Sequence, residues 1–416
     1  MGVLSHLTRS GSSLLLTAAL GTAALTSVGA VAAPSMEAGD AAAIDSAAQC
    51  EFAQLTIATD FDTARVDGCE QTAEHAYRLH LKPENLPINP SPWYAFRLEP
   101  NGLTQAQEIK ITLVSHNGPA RYAPKVSTDK FQWQPIPYSE NDNRMQFKVT
   151  LQPSQPVYVA GQEIIDAAMY DNWLASLPQG PQQQLFTLGE SAQGRPLPAY
   201  QHLAGEGKPW FVIIGRQHPP EVTGALALMH FSNELLFSDA AVLERLRSEF
   251  NILLVPLMNP DGVALGNWRH TTGGVDLNRD WFKRAEPESQ QLHTFLQKRE
   301  AAGEEVFFAL DFHSTHYNIY YTMPADYTRP DGTALQHPHL VTDWLAELAA
   351  SIDWEVKDKP GSNPDRGVFK QYVADTFAVH AVTYEVGDNT NRQEIKTTAE
   401  AAVLTLAETL LERLPK

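Results

Sequence analysis

The sequence is poor in cysteine and in positive charge, and each shortage excludes a class of protein. Its 416 residues contain two cysteines, too few for a four-cysteine metal site or for a small scaffold held by several disulfides. Lysine and arginine number 31 against 49 aspartate and glutamate residues, which gives a formal net charge of −18. Because a surface this acidic repels phosphate backbones, we expect no nucleic-acid partner.

Long apolar runs are also absent, except within residues 1–33. There a single arginine precedes a run of small and apolar residues that ends in alanines, the layout of a secretory signal peptide cleaved after Ala30 or Ala33. An uncleaved membrane anchor is the alternative. The apolar run within residues 1–33 is nearly as long as the ~20 residues that span a bilayer. The sequence therefore predicts a periplasmic or secreted protein with no other membrane partner, and a leader of small residues over 34–49.

Export would bear on the two cysteines, Cys50 and Cys69. An exported protein folds in an oxidising compartment, where a disulfide between them is the natural pairing. The alternative is a pair of free, buried thiols.

Residues 50–165 show short runs in which apolar and polar residues alternate, separated by Pro, Asn, Gly and Asp. Such runs are typical of half-buried strands joined by turns. Six strands are predicted: FAQLTIA (52–58), AYRLHLK (76–82), WYAFRLE (93–99), EIKITLVS (108–115), RMQFKVTL (144–151) and PVYVAG (156–161). Short strands with frequent turns predict an all-β antiparallel sandwich domain over residues 50–165.

Residues 166–416 follow a different rhythm, in which continuous apolar runs alternate with helical segments. Four strands are predicted: PWFVIIG (209–215), NILLVPLMN (251–259), VFFALDFHS (306–314) and HAVTYEVG (380–387). Apolar spacing predicts helices over 224–236, 340–352 and 399–414. The alternation indicates an α/β domain with a mixed sheet and flanking helices, its strands buried on both faces.

Polar residues stand at the ends of these four strands, where open α/β sheets bind their ligands. His218 and Glu221 follow the first strand, Asn259 ends the second, and His313 and Glu385 lie near the ends of the other two. Two histidines and one carboxylate are a catalytic zinc set that leaves one position open for water. The default interpretation of any single histidine is a solvent-exposed or core residue, but the shared strand-end position favours a metal site.

Two further groups of polar residues lie near the candidate zinc ligands in the sequence: an aspartate that could orient a histidine, and a pair of arginines with an asparagine. Asp311, two residues before His313, or a backbone carbonyl would orient a ligand imidazole. Arg269, Asn278 and Arg279 lie in a segment without the rhythm of a packed element. An arginine beside an amide suits a carboxylate, and surface salt bridges are the alternative.

These motifs, in this order, resemble the M14 zinc carboxypeptidase family. The resemblance is carried by GESAQGRPL (189–197), GRQHPPE (215–221), NPDG (259–262), WR (268–269), VDLNRDW (275–281), DFHS (311–314) and YE (384–385). The N-terminal region, with WYAFRLE, resembles the domain that precedes the catalytic domain in the cytosolic carboxypeptidase branch. The predicted export signal departs from that branch.

The resemblance implies a carboxypeptidase-like catalytic domain over residues 166–416 that holds one zinc ion. His218, Glu221 and His313 would bind the zinc. The substrates would be the C-termini of peptides or proteins, hydrolysed by a water that zinc activates.

Further roles follow from the same resemblance. Glu385 would be the general base that takes a proton from the attacking water and passes it to the leaving amine. Arg269 would stabilise the oxyanion of the tetrahedral intermediate. Asn278 and Arg279 would hold the terminal carboxylate of the substrate, which makes the enzyme an exopeptidase.

Side-chain preference is expected to depend on the segment RGVFKQY (366–372). If Lys370 or Arg366 enters the pocket, the enzyme would prefer Glu or Asp at the substrate's C-terminus; the alternative is that both are exposed helix charges. Family members often carry a tyrosine on a mobile segment upstream of the catalytic glutamate. No tyrosine occurs between Pro360 and Gln371, and Tyr372 is the nearest.

Two other functions compete with the leading hypothesis. One is a zinc amidohydrolase of the same fold that acts on N-acyl amino acids or cell-wall peptides. The other is an inactive binding module, with the sandwich recognising a partner or glycan, although all four zinc and base positions are present. The sequence leaves the oligomeric state open.

Overall fold

The computed structural model describes residues 50–415. The predicted signal peptide and leader, residues 1–33 and 34–49, lie outside these residues. Within residues 50–415, every helix is too short or too polar to cross a bilayer.

Residues 50–160 contain eleven strands that form two sheets. The strands are β1 (Cys50–Glu51), β2 (Leu55–Ala58), β3 (Cys69–Ala73), β4 (Ala76–Leu81), β5 (Ala95–Pro100), β6 (Gln107–Ser115), β7 (Lys125–Ser127), β8 (Gln134–Pro135), β9 (Tyr138–Asn141), β10 (Arg144–Leu151) and β11 (Val157–Ala160). One sheet has the order β1-β2-β5-β11-β7-β8 and the other the order β3-β4-β6-β10-β9. Apolar side chains from both sheets share one core.

Strand β10 shows why this region folds as it does. Its eight residues alternate between exposed and buried, so that Met145, Phe147, Val149 and Leu151 point into the core. An alternating strand presents one apolar face and one polar face. The burial of one face against a second sheet is the layout predicted for this region.

The prediction of a purely antiparallel arrangement is wrong at one pairing, because β4 and β6 run parallel. Parallel neighbours need a crossover between them. Here the chain leaves β4, passes through the other sheet as β5, and returns as β6 in the same direction. The predicted disulfide is present and joins Cys50 of β1 to Cys69 of β3, strands that belong to different sheets.

The described residues after 160 contain eight strands in one sheet, eight α-helices and one short 3₁₀ helix. The strands are β12 (Gln183–Glu190), β13 (Pro196–His202), β14 (Trp210–Gly215), β15 (Asn251–Val255), β16 (Val306–Thr315), β17 (Ile319–Thr322), β18 (Asp358–Pro360) and β19 (Ala381–Gly387). The helices are α1 (Ala167–Ser176), α2 (Val222–Phe237), α3 (Ala241–Glu249), α4 (Pro260–Ala264), α5 (Pro287–Ala301), α6 (Leu340–Ser351), α7 (Phe369–Phe377) and α8 (Arg392–Glu412). The order in the sheet is β12-β13-β15-β14-β16-β19-β17-β18.

The four central strands, β15, β14, β16 and β19, are parallel to one another, and antiparallel strands flank them. The predicted mixed sheet is therefore confirmed. Phe211 and Ile213 of β14 pack into one apolar cluster, whereas Trp210, Val212 and Ile214 pack into another. The unbroken apolar run of this strand thus reflects a sheet covered on both faces.

Two details of the α/β region position the site. Strand β15 ends at Val255 rather than at residue 259, because Pro256 cannot donate to the ladder. Helix α2 lies directly on β16: a Cβ on Gly224 would come within 2.4 Å of the His313 carbonyl oxygen. This close approach brings the start of α2 beside the end of β16.

The apolar core of the two N-terminal sheets continues into the α/β region through Val222, Leu257 and Trp268. Helix α1 begins behind Asp166, whose side chain accepts a hydrogen bond from the Met169 backbone. A division into domains at residue 165 remains a prediction.

Candidate functional site

The three predicted metal ligands meet at the carboxyl edge of the parallel strands. His218 and Glu221 lie between β14 and α2, and His313 lies in the last part of β16. All three are buried, and their ligand atoms lie within 4.8 Å of one another. Glu221 Oε1 is 2.8 Å from His218 Nδ1, and Glu221 Oε2 is 2.6 Å from His313 Nδ1. Two imidazole nitrogens and a carboxylate fit the donor set of a catalytic zinc site.

The Nε2 atom of each histidine, on the side of the ring away from Glu221, contacts a further carboxylate. His313 Nε2 is 2.7 Å from Asp311 Oδ2, so the orienting partner expected for this histidine is present. His218 Nε2 is 2.9 Å from Asp276 Oδ1. Both rings therefore turn Nδ1 towards Glu221. In metal sites, carboxylates outside the ligand set orient histidine ligands in the same way. Sequence reasoning missed Asp276, although it stands in the VDLNRDW motif.

The electrostatics of this cluster favour a cation. Burial opposes the ionisation of Glu221, but His218 and His313 outweigh it and hold its pKa well below the usual range. Burial also opposes a charge on His313, yet Asp311 and Glu221 outweigh it and raise its pKa well above the usual value. The same carboxylates would favour a bound cation, which would have to displace this proton because histidine binds a metal in its neutral form.

Glu385 stands beside the cluster because of strand register. In the parallel pair β16–β19 it is the direct partner of His313. Its Oε2 is buried and has no hydrogen-bond partner among the described residues. Burial and the neighbouring carboxylate of Glu221 raise the pKa of Glu385 to about 7. An unpartnered carboxylate with this pKa can exchange a proton near neutral pH.

Arg269 is joined to the cluster through Asp276. Its Nε donates to Asp276 Oδ2 at 2.7 Å, while the other carboxylate oxygen contacts His218. Burial opposes ionisation of Asp276, but His218 and Arg269 hold its pKa far below the usual range. One carboxylate therefore fixes both a ring of the metal cluster and the guanidinium predicted to face the oxyanion.

Asn278 and Arg279 lie in a short 3₁₀ helix, Leu277–Arg279. Asn278 Oδ1 accepts a hydrogen bond from the Phe369 backbone at the start of α7, at 2.9 Å, so its amide oxygen is engaged. Burial lowers the pKa of Arg279, and the nearby Arg269 adds to this effect against the opposing Asp276. A carboxylate needs a donor, so the group of Asn278 that could bind one is Nδ2, which lies 3.2 Å from His313 Nε2. The binding of a substrate's terminal carboxylate by Asn278 and Arg279 stays a prediction.

A cavity of about 420 Å³ opens over these groups. Eight of the nine predicted site residues line it, and His313 is buried at the metal cluster. Six of its nineteen lining residues are cationic: Arg121, Arg269, Arg279, Lys359, Arg366 and Lys370. In a chain with a net charge of −18, this concentration of positive charge favours an anionic ligand in the cavity.

The two residues predicted to set side-chain preference differ in burial. Lys370 is only 4% exposed, and its Nζ donates to the carbonyl oxygens of Gly361 and Thr322. No carboxylate in residues 50–415 forms an ion pair with it, and burial lowers its pKa to about 8. Arg366 is exposed at the rim. The alternative of two exposed charges is therefore wrong for Lys370.

Tyr372 lies outside the cavity, whereas two residues that line it, Tyr321 and Arg121, were not foreseen. Tyr372 is buried, contacts His293 and stacks on Trp281, so it belongs to the core rather than to the cavity. Tyr321 is the tyrosine that lines the cavity. Arg121 reaches it from the N-terminal region and pairs with Asp388 at 2.8 Å. It lies in a turn between strands, where no sequence signal marked it.

A mixed α/β sheet that gathers two histidines and a glutamate at its carboxyl edge, beside a second, half-buried glutamate, defines the class of candidate metallohydrolases. The sequence model of the zinc carboxypeptidase family matches residues 170–405. The chain therefore belongs to the M14 zinc carboxypeptidase family, whose members are metallopeptidases.

Solved structures agree with this fold. A metallo-carboxypeptidase from Burkholderia cenocepacia superimposes with a TM-score of 0.71 at 20% identity, over 86% of this chain and 99% of that one. A metallo-carboxypeptidase from Pseudomonas aeruginosa gives a TM-score of 0.68 at 21% identity, over 86% of this chain and 100% of that one. At these identities the likeness establishes the shared fold.

Curated relatives include cytosolic carboxypeptidase 6 of Mus musculus, 26% identical over 268 residues, which are 58% of this chain and 49% of the relative. The Homo sapiens protein of the same name is 27% identical over 248 residues, 53% of this chain and 48% of the relative. The chain thus spans about half the length of these relatives.

Proposed function

We propose that this chain is a zinc-dependent carboxypeptidase that removes C-terminal residues from peptides. The observation that carries the proposal is the convergence of His218, Glu221 and His313 beside the unpartnered carboxylate of Glu385, in a cavity rich in positive charge. Zinc bound by the three ligands would supply Lewis-acid activation of a water molecule and of the scissile carbonyl.

Glu385 performs the proton transfers. Its pKa of about 7 lets the carboxylate accept a proton from the attacking water and return it to the departing amine. Arg269, fixed at Nε by Asp276, keeps its other N–H groups for the developing oxyanion. Arg279 holds the substrate's terminal carboxylate, which restricts cleavage to the last residue.

Lys370 confers a preference for acidic C-terminal side chains. Its ammonium group is buried in the cavity and donates to two carbonyl oxygens, and no carboxylate among residues 50–415 forms an ion pair with it. A glutamate or aspartate side chain of the substrate supplies that counter-charge. A buried charge is stabilised most by an opposite charge in direct contact. Arg366 at the rim adds to the same preference.

The enzyme acts in the periplasm or outside the cell, on the C-termini of peptides or proteins. The signal-like layout of residues 1–33 and the disulfide between Cys50 and Cys69 support this location. The net charge of −18 argues against nucleic-acid substrates.

The test is mass spectrometry of a peptide mixture incubated with purified protein, each peptide with a free and an amidated C-terminus, with and without a zinc chelator. We expect stepwise loss of C-terminal residues from free peptides only, abolished by the chelator. Glu385→Gln, which keeps the shape of the side chain and the three ligands, is the matched control and should be inactive. Cleavage of N-acyl amino acids without cleavage of peptides would favour the amidohydrolase instead, and cleavage inside amidated peptides would overturn the role of Arg279.

A further inference from the structure

The loop that carries Arg269 is held by a residue from the N-terminal region. Glu84 lies in the connection between β4 and β5, and its side chain is only 9% exposed. Its Oε2 accepts a hydrogen bond from the Trp268 backbone at 2.7 Å. Its Oε1 accepts from the backbones of Arg269, at 2.9 Å, and of His270, at 2.6 Å. One carboxylate therefore binds three successive N–H groups.

These N–H groups have no place in a helix or a sheet. Residues 265–276 follow α4 and contain no regular element. Buried backbone donors need partners, and hydrogen bonds to an ionised acceptor are about twice as strong as neutral ones. Glu84 thus replaces the secondary structure that would otherwise fix the backbone at residues 268–270.

Neighbouring residues of the N-terminal region hold other parts of the same loop. Asn85 Oδ1 lies 2.8 Å from His270 Nδ1, and Asn85 Nδ2 donates to the Gly274 carbonyl oxygen at 3.3 Å. Arg65 Nη1 donates to Asn267 Oδ1 at 3.0 Å. The contact of Glu84 is the one that reaches the backbone of Arg269 itself.

We propose that Glu84 is a positioning residue for hydrolysis, acting through Arg269; the proposal rests on the carboxypeptidase function proposed above. Arg269 is fixed at two points, its backbone by Glu84 and its Nε by Asp276. Together the two carboxylates determine where the remaining guanidinium N–H groups point. An oxyanion donor works only within a few tenths of an ångström of its hydrogen-bonding distance, so a loosened backbone weakens it.

Steady-state kinetics of Glu84→Ala and Glu84→Gln test this role. We expect Glu84→Ala to lower kcat about ten-fold, because a misplacement of about 1 Å can cost as much as 10²-fold, while KM and zinc content stay unchanged. Glu84→Gln should lose less, since its carbonyl oxygen can still accept the two N–H groups that Oε1 binds. This variant also keeps the test open if Glu84→Ala folds poorly.

Glu163→Gln is the matched control. Glu163 is another carboxylate that precedes residue 166, and it pairs with Arg392 at the start of α8 at 2.7 Å, outside the Arg269 loop. It should leave kcat unchanged. An equal loss of kcat in Glu163→Gln and Glu84→Ala would mean that any break between the two regions lowers activity, which overturns the specific role.

A double-mutant cycle separates positioning from general stabilisation. If Glu84 acts through Arg269, Glu84→Ala should cause no further loss of kcat in the Arg269→Ala background. If Glu84→Ala lowers kcat by the same factor in the Arg269→Ala background as in the unaltered protein, the proposal is overturned.

Hydrogen exchange gives a readout that does not depend on activity. The amides of residues 268–270 should exchange faster in Glu84→Ala than in the unaltered chain or in Glu163→Gln. Unchanged exchange would show that Glu84 does not hold the loop and would overturn the proposal. If the unaltered protein cleaves no peptide, the proposed function fails, and the exchange experiment still decides whether Glu84 fixes these amides.

Discussion

Residues 50–165 and residues 166–415 bury their apolar side chains in different ways, and the difference decides where chemistry can occur. Strands such as β10 turn one face to the core and leave the other polar face to solvent. Strands such as β14 are buried on both faces, so polar groups can accumulate only at their ends. The candidate metal ligands and Glu385 lie at or beside those ends. Among the described residues, the N-terminal region contributes from segments between its strands: Glu84 holds the loop of Arg269, and Asn89 and Arg121 line the cavity.

The largest effect is expected at a strand end. Glu385→Gln should lower kcat by roughly 10²–10⁴-fold, because it removes the group that transfers the proton. Zinc content, measured by elemental analysis, should stay at the level of the unaltered chain. Glu108→Gln, on the exposed face of β6, is the control from the N-terminal region and should leave kcat unchanged. If Glu385→Gln kept full activity, Glu385 would be excluded as the general base.

A smaller effect is expected at the floor of the cavity. Lys370→Met keeps the length of the side chain and removes its charge, so kcat/KM for peptides ending in Glu should fall about ten- to hundred-fold, the worth of a charged hydrogen bond. Peptides ending in Leu should be affected much less. Lys359→Met and Arg366→Ala remove charges from the exposed rim of the cavity. They should change the ratio of kcat/KM for peptides ending in Glu and in Leu only slightly. A Glu-to-Leu selectivity that survives both Lys370→Met and Arg366→Ala would rule out the proposed preference.

The same preference should depend on pH with a defined sign. Burial lowers the pKa of Lys370 to about 8, so its charged form is present below that pH and is lost as the pH rises through it. The ratio of kcat/KM for peptides ending in Glu and in Gln should therefore be highest near pH 6–7 and decline above pH ~8. Gln is the matched uncharged residue. A ratio that is flat from pH 6 to 9.5 would contradict a role for the ammonium group.

The smallest effect on catalysis is expected from the disulfide of the N-terminal region. Replacing Cys50 and Cys69 together by serine opens a loop with a sequence separation of 19 residues. The loss of the bridge should lower the free energy of unfolding by about 3 kcal/mol. Denaturant unfolding measures that change, while kcat and KM should stay the same. A large fall in kcat would show that the disulfide also helps to hold the geometry of the active site.

Sequence reasoning succeeded where a single periodicity dominates. The alternation over 144–151 predicted β10 with its bounds, and the continuous apolar runs predicted the parallel strands of the α/β sheet. It failed where strands are short and exposed, as in β3, β8 and β9, because an exposed strand imposes no burial pattern. It also did not list β12 and β13, the antiparallel strands at one edge of the α/β sheet, among the predicted strands. The parallel pairing of β4 and β6 depends on which sheet β5 joins, and no local pattern shows that.

The residues of the candidate site also differ in whether the sequence could predict them. His218, Glu221, His313 and Glu385 could be predicted because they stand next to recognisable strands and within an ordered set of motifs. Glu84 could not, because it binds backbone groups about 185 residues away, and any sequence in the loop supplies those groups equally well.

The shared core of the two regions has a consequence for how the protein can be divided. Val222, Leu257 and Trp268 pack into the same apolar cluster as the N-terminal sheets. A chain cut at residue 165 would expose these side chains to water, and a large apolar patch of this kind promotes aggregation. Truncation is therefore expected to yield an insoluble product rather than a smaller enzyme.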